Sequence, residues 1–458
     1  MKEIGNILIE KQDQKDPKLY SGTLRQKSVA FLTLGCKVNQ YETEAMMELF
    51  ESRGYEVVEA HKRADVYVIN TCTVTSLGDK KSRQFIRRSK RLNDEAIIGV
   101  VGCYSQVSPE EVEKIEGVNV IIGTNNRKQI VDVVEDINVW DKIVLVDDIM
   151  KVTEFEELKI DTIKDKTRAF LKIQEGCNQY CSYCIIPYAR GPIRSRKPEN
   201  VISEVKRLAE NGFKEIVLTG IHVASYGKDL DCVTLTDVLK KVHDVEGIER
   251  IRLSSLEPRM FTDEFIKAIR EMPKFCKHFH LSLQSGSDTV LKRMNRKYTT
   301  AEYSQIVDRL RQELDNPSFT TDIIVGFPGE TEKEFEETYA FAKHIGFSQI
   351  HVFKYSPREG TPASKMKEQI PGDVKSQRSA KLMSLAEDMS DAYMDTFIGQ
   401  EVQVLLEGEL EDMPNYLEGL DDHYMRVCVK APIEQKRKMQ KVRIVRREKD
   451  ILIGELVD

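Results

Sequence analysis

What the 458-residue sequence lacks narrows it first. No run of about 18 apolar residues occurs, which excludes a membrane-spanning helix and a membrane partner of that kind. The opening stretch MKEIGNILIEKQDQKDPKLYSG has neither the apolar core nor the small-residue cleavage site of a secretory leader, so a cytoplasmic location is expected. Positive charge is not in excess: 69 Lys and Arg stand against 75 Asp and Glu, a net of −6. A nucleic-acid partner must then be held by local basic patches, and DNA is not expected. There is no internal repeat and no low-complexity tract. Nine cysteines, an odd number in a long chain, argue against a disulfide framework and toward metal, redox or catalytic use.

The chain is too long for one ordinary core and divides into about three units. From Ser28, short apolar strands (VAFLTLG, ADVYVIN, AIIGVVG, VNVIIG) alternate with amphipathic helices, which predicts an N-terminal open parallel α/β sheet over 27–148. The acidic stretch DDIMKVTEFEELKIDTIKDK reads as a linker. A second series over 163–394 offers strands at RAFLKIQ, EIVLTG, RIRLSS, HFHLSLQ, TDIIVGF and IHVFKYS, each followed by a helix. Six such units suggest a partial (β/α)6 barrel, since about eight are needed for the usual closure. Over 396–458 short strands take over and predict a small C-terminal antiparallel β-barrel. Residues 1–26 form an extension with no assigned role.

The most compact chemical signal is EGCNQYCSYC, placing Cys177, Cys181 and Cys184 at C-x3-C-x2-C spacing after the first barrel strand. Three thiolates can hold three irons of a four-iron cube and leave the fourth open to a ligand. A structural zinc would want four protein ligands, and no fourth Cys or His lies at ribbon spacing. These residues resemble the radical S-adenosylmethionine superfamily. The resemblance implies that this cofactor binds the open iron and is cleaved by one electron to a 5′-deoxyadenosyl radical.

Cys36, Cys72 and Cys103 each sit just past the end of a predicted parallel strand. In an open α/β sheet those ends share one edge, so the three can meet and offer a second three-thiolate site. Gly35 and Gly102 precede two of them and let the backbone approach closely. Cys232, Cys276 and Cys428 fit neither pattern and read as packing or exposed thiols.

The segments LGCKVNQYETEA, INTCTVT and VVGCYSQ, ahead of EGCNQYCSYCIIPYARGPIRSR, resemble the methylthiotransferase family from about Val29 to the C-terminus; LTGIHVASYG, LSLQSGSD, TDIIVGFPGET and FKYSPREGTPA agree. The resemblance implies two 4Fe-4S clusters: one on Cys177, Cys181 and Cys184 that cleaves S-adenosylmethionine, and one on Cys36, Cys72 and Cys103 that delivers the sulfur. The catalytic chemistry is then carried by the clusters. By strand position it places Tyr183 and Ile185 near the adenine, Thr219 and Gly220 near the methionine amino group, and Ser282, Gln284 and Ser285 near the ribose. It implies a TRAM-like RNA-binding final domain, a tRNA substrate and an electron donor such as flavodoxin or ferredoxin. The LGCKVN and ETE letters look most like the branch acting on threonylcarbamoyladenosine. An isopentenyladenosine or a ribosomal aspartate is the alternative substrate, and a non-catalytic electron carrier the alternative class.

The charge pattern adds RNA candidates. Lys80, Lys81, Arg83, Arg87, Arg88 and Arg91 lie in a basic run without an acid, close after Cys72, and Arg190, Arg194 and Arg196 follow the compact triad. Arg194 and Arg196 are also candidates for a bidentate grip on the carboxylate of a threonylcarbamoyl group. A second basic segment runs from Lys430 to Lys449.

Overall fold

The computed structural model describes residues 9–10, 26–74, 76–160, 167–410 and 413–457. Its first sheet holds β1 (Ile9–Glu10), β2 (Ser28–Thr33), β3 (Glu56–Val58), β4 (Val66–Thr71), β5 (Ile97–Gly102), β6 (Val120–Ile122) and β7 (Lys142–Leu145). The order is β1-β7-β6-β5-β4-β2-β3, parallel except where β1 runs against β7. Two residues of the N-terminal extension therefore cap a sheet edge; most of the extension lies outside the described residues. The interior strand β4, VYVINT, is buried throughout, the pattern of a parallel strand covered on both faces.

The barrel strands are β8 (Arg168–Glu175), β9 (Arg194–Ser195), β10 (Glu215–Gly220), β11 (Arg250–Leu253), β12 (His278–His280), β13 (Ser318–Val325) and β14 (Gln349–Lys354). They form two sheets, β11-β10-β8-β9 and β12-β13-β14, with the six long positions all parallel. The sheets meet where the Leu256 N–H donates to His280 O at 2.8 Å and the Ser282 N–H to Leu256 O at 3.1 Å. Ala169, Leu171, Ile173, Ile216, Leu218, Ile251 and Leu253 enter the main core against the helices. Alternation then turns Lys172, Gln174, Arg252, His280, Asp322 and His351 to the other face, so the barrel interior is polar. As β14 ends its sheet, that interior is open along one side. Capping boxes at Thr234–Asp237, Thr299–Glu302 and Thr331–Glu334 start three of the outer helices.

The last unit is a closed barrel of β15 (Glu401–Leu410), β16 (Met413–Asp421), β17 (Arg426–Lys430), β18 (Met439–Glu448) and β19 (Ile451–Leu456), in the order β15-β16-β17-β19-β18. All its pairings are antiparallel except β17 with β19. The turn after β16 seals the amino-terminal floor of the larger barrel. Tyr424 stacks on His278 with ring centroids 4.7 Å apart, and Arg252 lies 4.9 Å from the Tyr424 ring. Arg250 donates to Leu420 O at 2.7 Å, and Ser318 Oγ to His423 O at 2.7 Å.

The acidic stretch read as a linker is instead bound tightly over its described part. Glu156 accepts from Arg127 at 2.9 Å, Glu157 from Arg196 at 2.8 Å, and Leu158 O from the Tyr41 hydroxyl at 2.5 Å. Leu158 and Ile160 are core residues. Glu156 and Glu157 serve buried arginines, while Asp147, Asp148 and Glu154 stay exposed.

Candidate active site

β5, β4 and β2 are neighbours in register, with Thr33 opposite Asn70 and Thr71 opposite Gly102. Cys36, Cys72 and Cys103 leave the same edge of these three strands, as the strand-end reading anticipates. The loops are pinned together. The Asn39 amide donates to Leu34 O at 2.6 Å and Thr71 O at 3.0 Å, and the Asn70 amide to Asn39 O at 2.9 Å. At Gly35, whose φ is +103°, an added Cβ would lie 2.9 Å from Cys72 Cβ and 3.0 Å from its sulfur. The missing side chain is what lets the Cys36 loop close on Cys72. Gly102 does something else: a Cβ there would meet Asn70 Oδ1 and the Thr71 backbone, so it serves strand packing.

The compact triad lies on a loop held from both sides. The Cys177 N–H donates to Gly191 O at 3.0 Å, Ser182 Oγ to Arg293 O at 2.8 Å, and the Asn295 amide to Tyr180 O at 2.9 Å. Burial pushes the Cys177 thiol up to about 11, and Cys184 and Cys103 each to about 12. Iron binding at these sites must therefore release protons.

An arginine touches a sulfur of each group, half-buried Arg296 in one and fully buried Arg190 in the other. Arg296 Nη1 lies 3.3 Å from Cys181 Sγ, and Arg190 Nε lies 3.2 Å from Cys103 Sγ. Cationic N–H donors at sulfur favour the thiolate form and offset the charge of a bound cluster. Three sulfurs and a cationic donor at each site, with the glycine-made close approach at Cys36 and Cys72, fit an iron–sulfur group.

Arg190 is also the hub of a buried ion network. Its Nη1 reaches Glu42 at 2.6 Å and Glu175 at 3.0 Å, and its Nη2 reaches Asn39 at 2.6 Å. Lys172 pairs with Glu42 at 3.0 Å and Glu175 at 2.8 Å, while Arg127 pairs with Glu42 at 2.5 Å. Three cations meet buried Glu42 and Glu175 and half-buried Glu156, so the charges balance. The network ties the first sheet to β8 and the strap around Glu156.

The arginines expected on RNA are corrected by this arrangement. Arg190 is 0% exposed, Arg194 2% and Arg196 1%. Arg194 donates to Arg190 O at 3.0 Å, and Arg196 pairs with Glu157 and Glu204 at 2.8 and 2.7 Å. None presents a free face to phosphate or to a substrate carboxylate. Arg83 is likewise turned inward, donating to the Tyr104 hydroxyl at 2.9 Å. Lys80, Lys81, Arg87, Arg88 and Arg91 are exposed on the helix Ser76–Leu92. In the final barrel, Lys441 and Arg443 are held by Glu401, and Arg447 by Asp391 and Asp395. The basic segment there is partly neutralised.

The expected cofactor-pocket residues divide. Ile185 is buried at the start of the helix Ile186–Arg190, and Thr219 and Gly220 sit at a bulge against β8, where the Gln174 side chain packs on Gly220. Tyr183 packs beside Val290, Met294, Phe327 and Tyr355. Ser282 is half-buried, and Gln284 takes φ +69°, bridging to β13. Ser285 is turned away: its hydroxyl bonds Thr338 on an outer helix at 3.1 Å, so its ribose role is dropped. Sequence reasoning missed Gln174, whose Oε1 accepts from the His222 N–H at 2.6 Å, and Glu257, which lies 3.2 Å from His222 and accepts from Gln179 at 3.1 Å. It also missed Arg358, which ties the barrel's last loop to Asp79 at 2.7 Å and to Thr73. Arg358 lay in a motif already singled out; the others carried no local signal.

Comparisons with known proteins bear on the family and the fold. The Radical SAM superfamily matches residues 171–342, and Uncharacterized protein family UPF0004 matches 28–123. Threonylcarbamoyladenosine tRNA methylthiotransferase MtaB of Bacillus subtilis is 45% identical over 423 residues, covering 92% of this chain and 94% of that protein. MtaB of Aquifex aeolicus is 42% identical, covering 82% and 92%. A tRNA-2-methylthio-N(6)-dimethylallyladenosine synthase of Moorella thermoacetica is 36% identical, covering 94% and 99%. Among solved structures, the radical S-adenosylmethionine methyltransferase TsrM of Kitasatospora setae superposes with a TM-score of 0.54 at 16% identity, over 74% of this chain and 77% of that one, a likeness of fold alone. With relatives this similar over nearly its whole length, and with sheet and partial barrel both in place, the chain belongs to the radical S-adenosylmethionine methylthiotransferases of the MtaB type.

Proposed function

We propose that this protein adds a methylthio group to C2 of N6-threonylcarbamoyladenosine beside the anticodon of tRNA. The observation that carries the reading is the convergence of two three-cysteine groups on either side of one five-residue helix, in a chain 45% identical to a relative bearing that activity in its name. Cys177, Cys181 and Cys184 would hold one 4Fe-4S cluster and Cys36, Cys72 and Cys103 the other. When bound, the first supplies one-electron cleavage of S-adenosylmethionine, and the second the sulfur. The protein's own residues do the positioning. Gly35 and Asn39 close the loops, Arg190 and Arg296 set the charge at sulfur, and Thr219, Gly220 and Gln284 offer strand-end contacts to the cofactor. We read residues 27–148, 163–394 and 396–458 as domains, the last a TRAM-like RNA binder. The exposed face of Lys80, Lys81, Arg87, Arg88 and Arg91 supplies phosphate contacts. A cytoplasmic setting and a flavodoxin or ferredoxin as electron donor complete the reading.

Nucleoside mass spectrometry of tRNA from a strain lacking the protein tests it. The 2-methylthio form of threonylcarbamoyladenosine should disappear and its unthiolated precursor accumulate. Loss of the isopentenyl counterpart instead would contradict the substrate assignment.

A further inference from the structure

Lys37 begins the helix Lys37–Ser52 and directly follows Cys36. It is half-buried, and its contacts are unusual for a lysine. Its ammonium lies 5.3 Å from the Tyr424 ring and 5.9 Å from the Phe170 ring, reaching from the Cys36 loop to the barrel strand β8 and the floor. Among the described residues no carboxylate pairs with it. The cations around it are satisfied: Arg168 by Glu407 at 2.5 Å, Lys172 by Glu42 and Glu175, and Arg252 by Glu215 at 3.0 Å. Another carboxylate on the interior face, Asp322, is engaged with His280 at 3.3 Å in a group with His351. A partly desolvated ammonium facing two rings lacks the counter-ion that burial normally demands. Such a group is poised for an anion brought by a ligand.

We propose that Lys37 binds the carboxylate of the threonylcarbamoyl group of the substrate adenosine, an inference that rests on the reading given above. On the base, C2 and the N6 substituent are separated by the width of one six-membered ring. A base presenting C2 at Cys36, Cys72 and Cys103 therefore carries its N6 group within reach of the next residue's side chain. The role expected for Arg194 and Arg196 passes to this lysine, because theirs are buried in other pairs. A charge-assisted contact of this kind changes affinity by about 10- to 100-fold.

The test uses the full-length, anaerobically reconstituted protein and two anticodon stem-loop RNAs, one with threonylcarbamoyladenosine and one with its carboxylate converted to the methyl ester. In equilibrium binding the unchanged protein should prefer the acid by about tenfold or more. Lys37→Gln should bind both RNAs at the ester's level, Lys37→Arg should keep most of the preference, and the same differences should appear in KM for methylthiolation more than in kcat. Iron content and circular dichroism establish that the variants fold. A Lys37→Gln protein that retains the full preference, or that loses affinity for both RNAs equally as a phosphate contact would, overturns the proposal. So does an unchanged protein that methylthiolates the acid RNA without preferring it to the ester. If neither RNA is methylthiolated but a control stem-loop carrying isopentenyladenosine is, the substrate reading itself has failed, and the Lys37 role falls with it.

Discussion

Arg190 Nε sits 3.2 Å from Cys103 Sγ, so a residue that follows the compact cysteine triad in sequence touches a sulfur of the other triad in space. The helix Ile186–Arg190 is thus the physical link between the sites, and the Ala189 carbonyl accepts from Thr124 Oγ1 at 2.6 Å at the same junction. Removing the guanidinium would strand the buried carboxylates Glu42 and Glu175, whose ionised forms outlast their desolvation only because Arg127, Arg190 and Lys172 surround them. Arg190→Gln should cost about 3–5 kcal/mol, the range for breaking a buried charge pair. Thermal denaturation reads this as a clear fall in Tm; an unchanged Tm would show that the network carries no net stability.

Gly35→Ala tests the close approach of the loops. The positive φ and the 2.9 Å contact with Cys72 Cβ mean that the backbone or Cys72 must shift. Iron per chain should fall from about eight toward about four, with the compact triad still loaded. Full iron content in the alanine variant would remove Gly35 from the account.

RNA affinity should depend on one helix face. Replacing Arg87, Arg88 and Arg91 by Gln should weaken tRNA binding and make the slope of log affinity against log salt shallower by about two to three, as each lost phosphate contact removes roughly 0.7–0.9. The same change on Arg190, Arg194 or Arg196 should act on folding instead. An unaltered slope would move the RNA footprint elsewhere.

The junction of the two barrels should be sensitive to alkali. Burial lowers the pKa of His423, but bonds to Asp421 and Asp422 at 3.1 Å outweigh it and hold the ring near 9, against an ordinary 6.5. A raised pKa contributes stability that is complete below pH 6.5 and lost as pH climbs toward 9. Hydrogen exchange across Asp421–Met425 should therefore accelerate between those values, and His423→Gln should flatten the dependence. Equal profiles for the two proteins would contradict this.

How far the sequence discloses this molecule follows from the range of each interaction. Strand positions were legible because apolar periodicity is local, and the convergence of Cys36, Cys72 and Cys103 followed from one topological rule about strand ends. The partner of Arg190 was not legible. Its contacts with Asn39, Glu42 and Cys103 join residues far apart in the chain, and an Arg-rich segment beside a triad reads equally well as an RNA grip. The strap around Glu156 was hidden for the same reason: its acids look solvated until Arg127 and Arg196 are found beneath them. The seat of Tyr424 was hidden likewise, since its stacking partner His278 lies in the larger barrel, far away in the chain.

The division of labour between the triads is the centre of the account, and product analysis of two triple variants measures it directly. With dithionite, S-adenosylmethionine and tRNA, the Cys36, Cys72 and Cys103→Ala protein should keep about four irons per chain, still form 5′-deoxyadenosine, and make no methylthiolated nucleoside. The Cys177, Cys181 and Cys184→Ala protein should retain about four irons and form neither product. Formation of 5′-deoxyadenosine by the second variant, or of methylthiolated nucleoside by the first, would contradict it.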